Sequence, residues 1–365
     1  MEGGGAERQL TYLAAELRRL GEAVHVAVVS RGANWERLLA SGAAVHELRA
    51  RGAHDPLLLL RLLRLIREVK PDIVQVWLRQ MDILGGLAAV ALGRPFIVTE
   101  RSSEGAYPHS LKHAIRIRMA RLADAIVSNS EGGERYWRTR VTGRVRHYVV
   151  PNAVPIDEIE RAEPAHVAMA GSNRPIVLFA GRLEPEKNID TLLEAVRLAL
   201  ADEDFDFVCC GAGTLRVRVS DWVAQHALGT RARLMGYTPV LWGLMKRAAL
   251  LVSPSLFEGS PNVVLEGMAC RCPLVVSDIP EHRALLDEHS AFIAPAGSAA
   301  GLADVIVQAL RDGDAARRRA DAAYVRVQRF APAIIARQYR DIYRSVLAGR
   351  AGDDSSPGQR TCVES

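Results

Sequence analysis

The residues best suited to chemistry lie in two short stretches of the second half of this 365-residue chain. The first, AGRLEPEKN, carries Arg182 and Lys187; the second, FEGSPNVVLEGMA, carries Glu258 and Glu266. Arg182 follows directly on the apolar run Ile176 to Ala180, which reads as a strand, and Lys187 lies in the turn leading to a helix from Ile189 to Ala201. Both side chains can then point from the carboxyl edge of a sheet, where open α/β sheets bind ligands. Two cations fixed there suit a phosphate-bearing ligand. The second stretch follows the strand pattern Leu250 to Ser253. With Pro261 in a first helical turn, the backbone N–H groups of Asn262, Val263 and Val264 aim outward at a positive helix end, a second anion site. Glu258 stands in the loop before that helix and Glu266 on its second turn, far enough apart to serve opposite ends of one extended ligand. Spacing alone carries little weight here, and the strand–loop–helix setting supplies most of it.

Other candidates fall away. Asp204-Phe205-Asp206 could anchor a divalent metal, but it precedes the strand Phe207 to Cys210 at its amino end, the wrong end for a ligand. Asp312-Gly313-Asp314 reads as a turn between helices. The five cysteines are an odd number, and Cys270-Arg271-Cys272 is too tight for zinc, so neither a metal site nor a disulfide framework is expected.

The elements that position these residues follow from periodicity. Apolar runs at His25 to Ser30, Ile73 to Val76, Phe96 to Thr99 and Ala125 to Ser128 alternate with helical patterns at Leu10 to Leu20, Leu57 to Val69, Ile83 to Ala91 and Leu111 to Leu122. The second half repeats the order, with strands at Ile176 to Ala180, Phe207 to Cys210, Ala232 to Met235, Leu250 to Ser253, Leu274 to Ser277 and near Phe292. The fold class is α/β, two Rossmann-like domains. The expected division is 1–160, 172–325, a helix over 326–348 returning to the first domain, and a disordered tail over 349–365. One strand is missing from this pattern. Gly3-Gly4-Gly5 would ordinarily follow a first, central strand, so a misplaced start codon or a trimmed chain is expected.

Bulk properties agree with a soluble globular protein: 49% hydrophobic and 24% charged residues, with no apolar run long enough to span a bilayer. The start, MEGGGAERQL, lacks the pattern of a secretory signal, so a cytoplasmic location is expected. The net charge of +5 is uneven, because residues 1–150 hold 23 Lys and Arg against 15 Asp and Glu. A basic lobe suits anionic lipid or a phosphorylated acceptor, and an arginine-rich solvated surface equally well. The helix carrying Lys112, His113, Arg116, Arg118 and Arg121 among Leu111, Ile115, Ile117 and Met119 either docks on an anionic membrane or buries its apolar stripe and solvates its charges.

Taken in order, GGGAER, VVPNAVP, AGRLEPEKN, the glutamate pair and the closing aromatic and basic helix resemble family 4 of the retaining glycosyltransferases, with the GT-B architecture, which implies that the two domains face each other across a cleft. The resemblance implies transfer of a sugar from a nucleotide-diphosphate carrier, with UDP favoured, to a hydroxyl of a glycan or lipid-linked acceptor, as in polysaccharide or glycolipid synthesis at the inner face of the membrane. It implies no metal cofactor and no nucleic-acid partner. Arg182 and Lys187 would bind the diphosphate with the amides of Asn262 and Val263, Glu258 would contact the transferred sugar and Glu266 the ribose. Gly4 and Gly5 would close over the phosphates, and Gly236-Tyr237 would lie near the base. The leaving phosphate oxygen would take the acceptor's proton, with Glu258 orienting the sugar. Many relatives place a histidine after the fourth strand; here that stretch reads Thr99-Glu100-Arg101-Ser102, leaving Glu100, Arg101 or the nearby His109 as acceptor-side candidates. A nucleotide-sugar 2-epimerase and a non-catalytic carbohydrate- or membrane-binding relative are the alternatives.

Overall fold

The computed structural model describes residues 5–50, 55, 57–101, 110–165 and 173–354, with side chains through Arg350. The chain divides into two compact units, one of residues 1–153 with 332–365, the other of residues 154–331.

The first unit runs α1 (Gly5–Arg19), β1 (His25–Val28), α2 (Trp35–Ala40), β2 (Ala44–Glu47), α3 (Leu57–Val69), β3 (Val74–Trp77), α4 (Arg79–Ala91), β4 (Phe96–Glu100), α5 (Leu111–Ala120), β5 (Ala125–Ser128), α6 (Glu131–Arg138) and β6 (Arg146–Val149). All its strand pairs are parallel. They form two sheets, β1-β2 and β3-β4-β5-β6. The first described element is α1, and among the described residues no strand joins β1 to β3. Apolar side chains bridge the two sheets instead: Val29 and Leu48 share a cluster with Val74, Leu58, Leu62 and Ala88. Gln9 on α1 is buried and exchanges two hydrogen bonds with the backbone of Ala153, tying the first helix to the last residue before the division.

The second unit runs α7 (Ile156–Arg161), β7 (Ile176–Ala180), α8 (Ile189–Asp202), β8 (Asp206–Cys210), α9 (Arg216–Gln225), β9 (Ala232–Met235), α10 (Leu241–Arg247), β10 (Leu250–Ser253), α11 (Asn262–Ala269), β11 (Leu274–Ser277), α12 (Pro280–Arg283), β12 (Phe292–Ala294), α13 (Ala299–Arg311) and α14 (Gly313–Val327). Its six strands are parallel in the order β12-β11-β10-β7-β8-β9. Strands this apolar bury both faces, as a parallel sheet requires. Phe179, Phe207, Val252 and Val275 pack with Leu192, Val196, Leu302 and Ile306 of α8 and α13.

The last helix, α15 (Pro332–Asp354), belongs to the first unit. Tyr343 donates to Gln75 on β3, and Arg146 on β6 donates to the Ser345 carbonyl at 2.7 Å. The helix runs past Leu347, into the stretch expected to be a disordered tail. Arg350 explains the extension, because it forks onto Asp124 at 2.7 and 3.0 Å and anchors the last turns. The remainder of that expected tail, 355–365, lies outside the described residues.

Candidate functional site

The strand order of the second unit reverses between β7 and β10, and the carboxyl ends of two such strands are where open α/β sheets place their ligands. The loops after these two strands carry the two stretches singled out from sequence. The β7 loop is built on close backbone approach. Gly211 has φ +148°, and a Cβ there would lie 1.8 Å from the Gly181 carbonyl oxygen, so only glycine fits. Gly181 N–H donates to Cys210 O and Leu183 N–H to Ala212 O, which fixes the path leading to Arg182 and Lys187. A 3-10 turn over Pro185–Lys187 and a left-handed Asn188 (φ 55°) then start α8. The two loops are laced together: Leu256 N–H donates to Glu186 O at 2.9 Å and Asn188 Nδ2 to Pro254 O at 3.2 Å.

The lacing brings Lys187 and Glu258 into contact, Nζ donating to Oε1, with 16% and 11% of their side chains exposed. The Ser255 hydroxyl donates to the same Oε1 at 2.7 Å. Arg182 is 72% exposed and pairs with Glu186 at 2.6 Å. Asn262 and Val263 open α11, whose first intrahelical bond runs from Leu265 N–H to Pro261 O, so their N–H groups lie outside the helical ladder. Pro261 is the N-cap residue, one position ahead of the first turn expected for it; with φ −76° and ψ 86° it is not yet helical. Gly267 packs α11 against Leu251 and Leu274, which holds the helix end over the strands. Glu266 is turned inward at 4% exposure and accepts from Trp242 Nε1 at 3.0 Å, a partner that the sequence reading lacked. Gly236 and Tyr237 follow β9, two strands from β7, and Tyr237 is 83% exposed.

Beneath this site lies a group of buried polar residues missed from sequence. Ser277 Oγ donates to Ser255 O at 2.5 Å, and His282 lies within hydrogen-bond reach of Ser277 and Ser253. Burial holds the His282 imidazole below its ordinary pKa, so it is neutral. Asp204 and Asp206 precede and open β8 at its amino end, where Arg174 and Arg231 neutralise them. Among the described residues no group of three or more His, Cys, Asp and Glu could hold a metal ion.

In the first unit Glu100 does not face an incoming ligand. It is 2% exposed, accepts from Trp137 Nε1 at 2.8 Å and pairs with buried Arg116, which also donates to Asp82 at 2.6 Å. Arg116 therefore leaves the solvated face of α5 expected for it, because Asp82 on α4 supplies a buried countercharge. The exposed residues of α5 include Leu111 at 76% and Ile115 at 37%. Arg101 is half-buried, donates to Asn152 and Tyr339 at 2.9 and 2.6 Å and stacks over Trp77. Gly5 is the exposed first residue of α1. Gly4 and His109 lie outside the described residues.

Comparison with known proteins bears on this geometry. Residues 3–158 match the family model for Glycosyltransferase Family 4, and residues 166–326 match that for Glycosyl transferases group 1. The chain is a group 1 glycosyltransferase of family 4. It is 28% identical to alpha-maltose-1-phosphate synthase of Mycolicibacterium smegmatis over 94% of this chain and 96% of that protein. It is 26% identical to UDP-Gal:alpha-D-GlcNAc-diphosphoundecaprenol alpha-1,3-galactosyltransferase of Escherichia coli over 62% and 63% of the two chains. Alignments with several other curated relatives span about half of their length. The crystal structure of Anabaena HepE in complex with UDP superposes with a TM-score of 0.80 at 18% identity, covering 94% of this chain and 97% of that one. This likeness gives the transferase the GT-B fold.

Proposed function

We propose that this glycosyltransferase moves a sugar, with retention of anomeric configuration, from a UDP-sugar to a hydroxyl of a glycan or lipid-linked acceptor during synthesis of cell-surface polysaccharide or glycolipid. The observation that carries the reading is the Lys187–Glu258 pair at the β7/β10 reversal, next to the N-terminus of α11. A cation and the N-terminal N–H groups of a helix stabilise a leaving diphosphate, while a carboxylate beside them holds sugar hydroxyls. HepE in complex with UDP supports the nucleotide, and the name of the E. coli relative supports both a UDP-sugar and a lipid-linked acceptor.

On this reading Arg182 and Lys187 neutralise the diphosphate, with the amides of Asn262 and Val263 as further donors. The leaving phosphate oxygen takes the proton from the acceptor hydroxyl, so no strong side-chain base is needed. Glu258 orients the sugar and offsets positive charge developing at the anomeric carbon. Glu266, held by Trp242, receives the ribose hydroxyls, and Gly236 and Tyr237 flank the base. Arg101 is kept as the acceptor-side candidate, because it is less buried than Glu100. The reaction uses no metal cofactor.

The enzyme acts in the cytoplasm at the membrane's inner face. No helix among the described residues is long and apolar enough to cross a membrane. The side-by-side helices α3, α4 and α5 instead expose Leu57, Leu60, Leu87, Val90, Leu111 and Ile115 together with Arg64, Arg67, Lys112 and Arg118. Apolar and basic side chains so mixed suit peripheral contact with anionic lipid.

The test is a thermal-shift screen against UDP-sugars, followed by transfer assays with the sugar nucleotide it selects. Glu258→Ala and Lys187→Ala should each lower kcat/KM by at least about a hundredfold with the fold intact. Wild-type rates in either variant would refute the assignment.

A further inference from the structure

The group beneath Glu258 is a directional chain of hydrogen bonds. His282 is fully buried on α12, and its Nδ1 lies 2.9 Å from the Ser277 carbonyl oxygen. A carbonyl only accepts, so Nδ1 carries the proton and Nε2 keeps its lone pair, facing the Ser253 hydroxyl at 3.5 Å. Ser277 Oγ then donates to the Ser255 carbonyl at 2.5 Å, and Ser255 Oγ donates to Glu258 Oε1 at 2.7 Å. Ser253, Ser255, Ser277 and His282 are all at most 8% exposed. The chain spans the end of β10, the end of β11 and α12, three elements that apolar side chains could have packed with no polar group to satisfy. A buried polar network of this kind is costly unless complete, and when complete it fixes one arrangement.

Its end point matters most. Ser255 and Lys187 both engage Oε1 of Glu258, so the rotation of the carboxylate is set and Oε2 is engaged by neither. We propose that Ser255, Ser277 and His282 are positioning residues for Glu258, a buried relay that fixes how its carboxylate meets the transferred sugar. The inference rests on the reading of Glu258 given above. Ser255 acts directly on Oε1; Ser277 holds the Ser255 carbonyl; His282 holds Ser277 and the end of β10.

The experiment compares Ser255→Ala, Ser277→Ala, His282→Leu and His282→Asn with Glu258→Ala. UDP, UDP-glucose and UDP-N-acetylglucosamine are the probes, with affinities from calorimetry and turnover counted per UDP-binding site, so that loss of folded protein is not scored as loss of rate. We expect kcat per site to fall about tenfold in Ser255→Ala and Ser277→Ala while UDP affinity stays within about twofold. The advantage of a UDP-sugar over UDP should shrink in the same variants. His282→Asn, whose side-chain N–H can stand where Nδ1–H donates, should recover most of the rate lost in His282→Leu. The relay is overturned if Glu258→Ala is inactive while the serine variants keep wild-type kcat per site and wild-type sugar discrimination. It is equally overturned if His282→Asn and His282→Leu behave alike. Full activity in Glu258→Ala is a different result, which overturns the reading of Glu258 and this inference with it.

Discussion

Asp82 offers a test of the buried charge network in the first unit, free of any assumption about substrate. Asp82 is 1% exposed, and Arg116 serves both Asp82 and Glu100, so two carboxylates share one guanidinium. Burial, reinforced by Glu100 and only partly offset by Arg116, pushes the Asp82 carboxyl up from 3.8 to about 7. The folded protein then holds this proton more tightly than the unfolded chain. The resulting stabilisation is complete below the unfolded pKa, declines as pH rises, and is gone above about pH 7. At 1.36 kcal/mol per pH unit, the shift corresponds to about 4 kcal/mol in all, and about 3 kcal/mol between about pH 5 and about pH 7.5. Asp82→Asn removes the titration while keeping an acceptor for Arg116. Urea unfolding followed by tryptophan emission suits the measurement, because fully buried Trp137 donates to Glu100 beside the network. Nearby His113, whose pKa burial lowers, titrates in both proteins and cancels in the difference. The stability of wild type relative to Asp82→Asn should therefore fall as pH rises through this window. Parallel curves, or a wild type that gains on the variant with pH, would refute the account.

Four further outcomes are expected. Gly211→Ala should destabilise the second unit by more than about 2 kcal/mol in calorimetry, since its Cβ would collide with the Gly181 carbonyl. Leu78 has φ 69° and ψ 150°, a region that favours glycine, and its side chain is 49% exposed. Leu78→Gly should therefore raise stability by about 1 kcal/mol, with strain relief outweighing chain entropy. Cys209, Cys210, Cys270 and Cys272 are buried, and burial pushes Cys209 and Cys270 up to about 12; all four should resist a thiol reagent at pH 8 until denaturant is added. Raised ionic strength should weaken binding of UDP more in the wild type than in Arg182→Ala, because the exposed Arg182 side chain contributes a screened attraction.

Legibility from sequence followed how far each signal depends on distant partners. β10 and β11 were readable to the residue because LLVS and LVVS are short, branched and fully buried, and their carboxyl ends located both site loops. β2 (AVHE) and β6 (RHYV) were not identified, since strands at sheet edges alternate polar with apolar residues and resemble loops in a hydropathy scan. Helical periodicity placed Arg116 among solvated charges, and nothing local in α5 announces Asp82, which lies 34 residues away on another helix. His282 escaped for the same reason. A single histidine in PEHR carries no pattern, and only the adjacency of β10 and β11 brings Ser253, Ser255 and Ser277 to it.

The Lys187–Glu258 contact changes what the two residues can be said to do. Read from sequence, they belonged to separate functions, a cation for phosphate and a carboxylate for sugar. In the fold each is the other's counter-ion, linking the loop after β7 to the loop after β10. Because both are largely buried, neither charge can be left alone cheaply, so a variant missing one partner strands the other. On the proposed reading, a diphosphate reaching the N-terminus of α11 competes with Glu258 for the Lys187 ammonium, and its added negative charge is offset by Arg182 and the helix end. Arg182 needs no such exchange: its pair with Glu186 is solvent-exposed, is worth at most about 1 kcal/mol, and is easily redirected. Glu258, as Lys187 turned to phosphate, would keep the Ser255 hydrogen bond and so its orientation while gaining capacity for a sugar hydroxyl. The proposed phosphate capture and sugar orientation would then be one coupled event, and the direct pairing of the two side chains predicts that substitutions at Lys187 and Glu258 will be strongly non-additive in a double-mutant cycle.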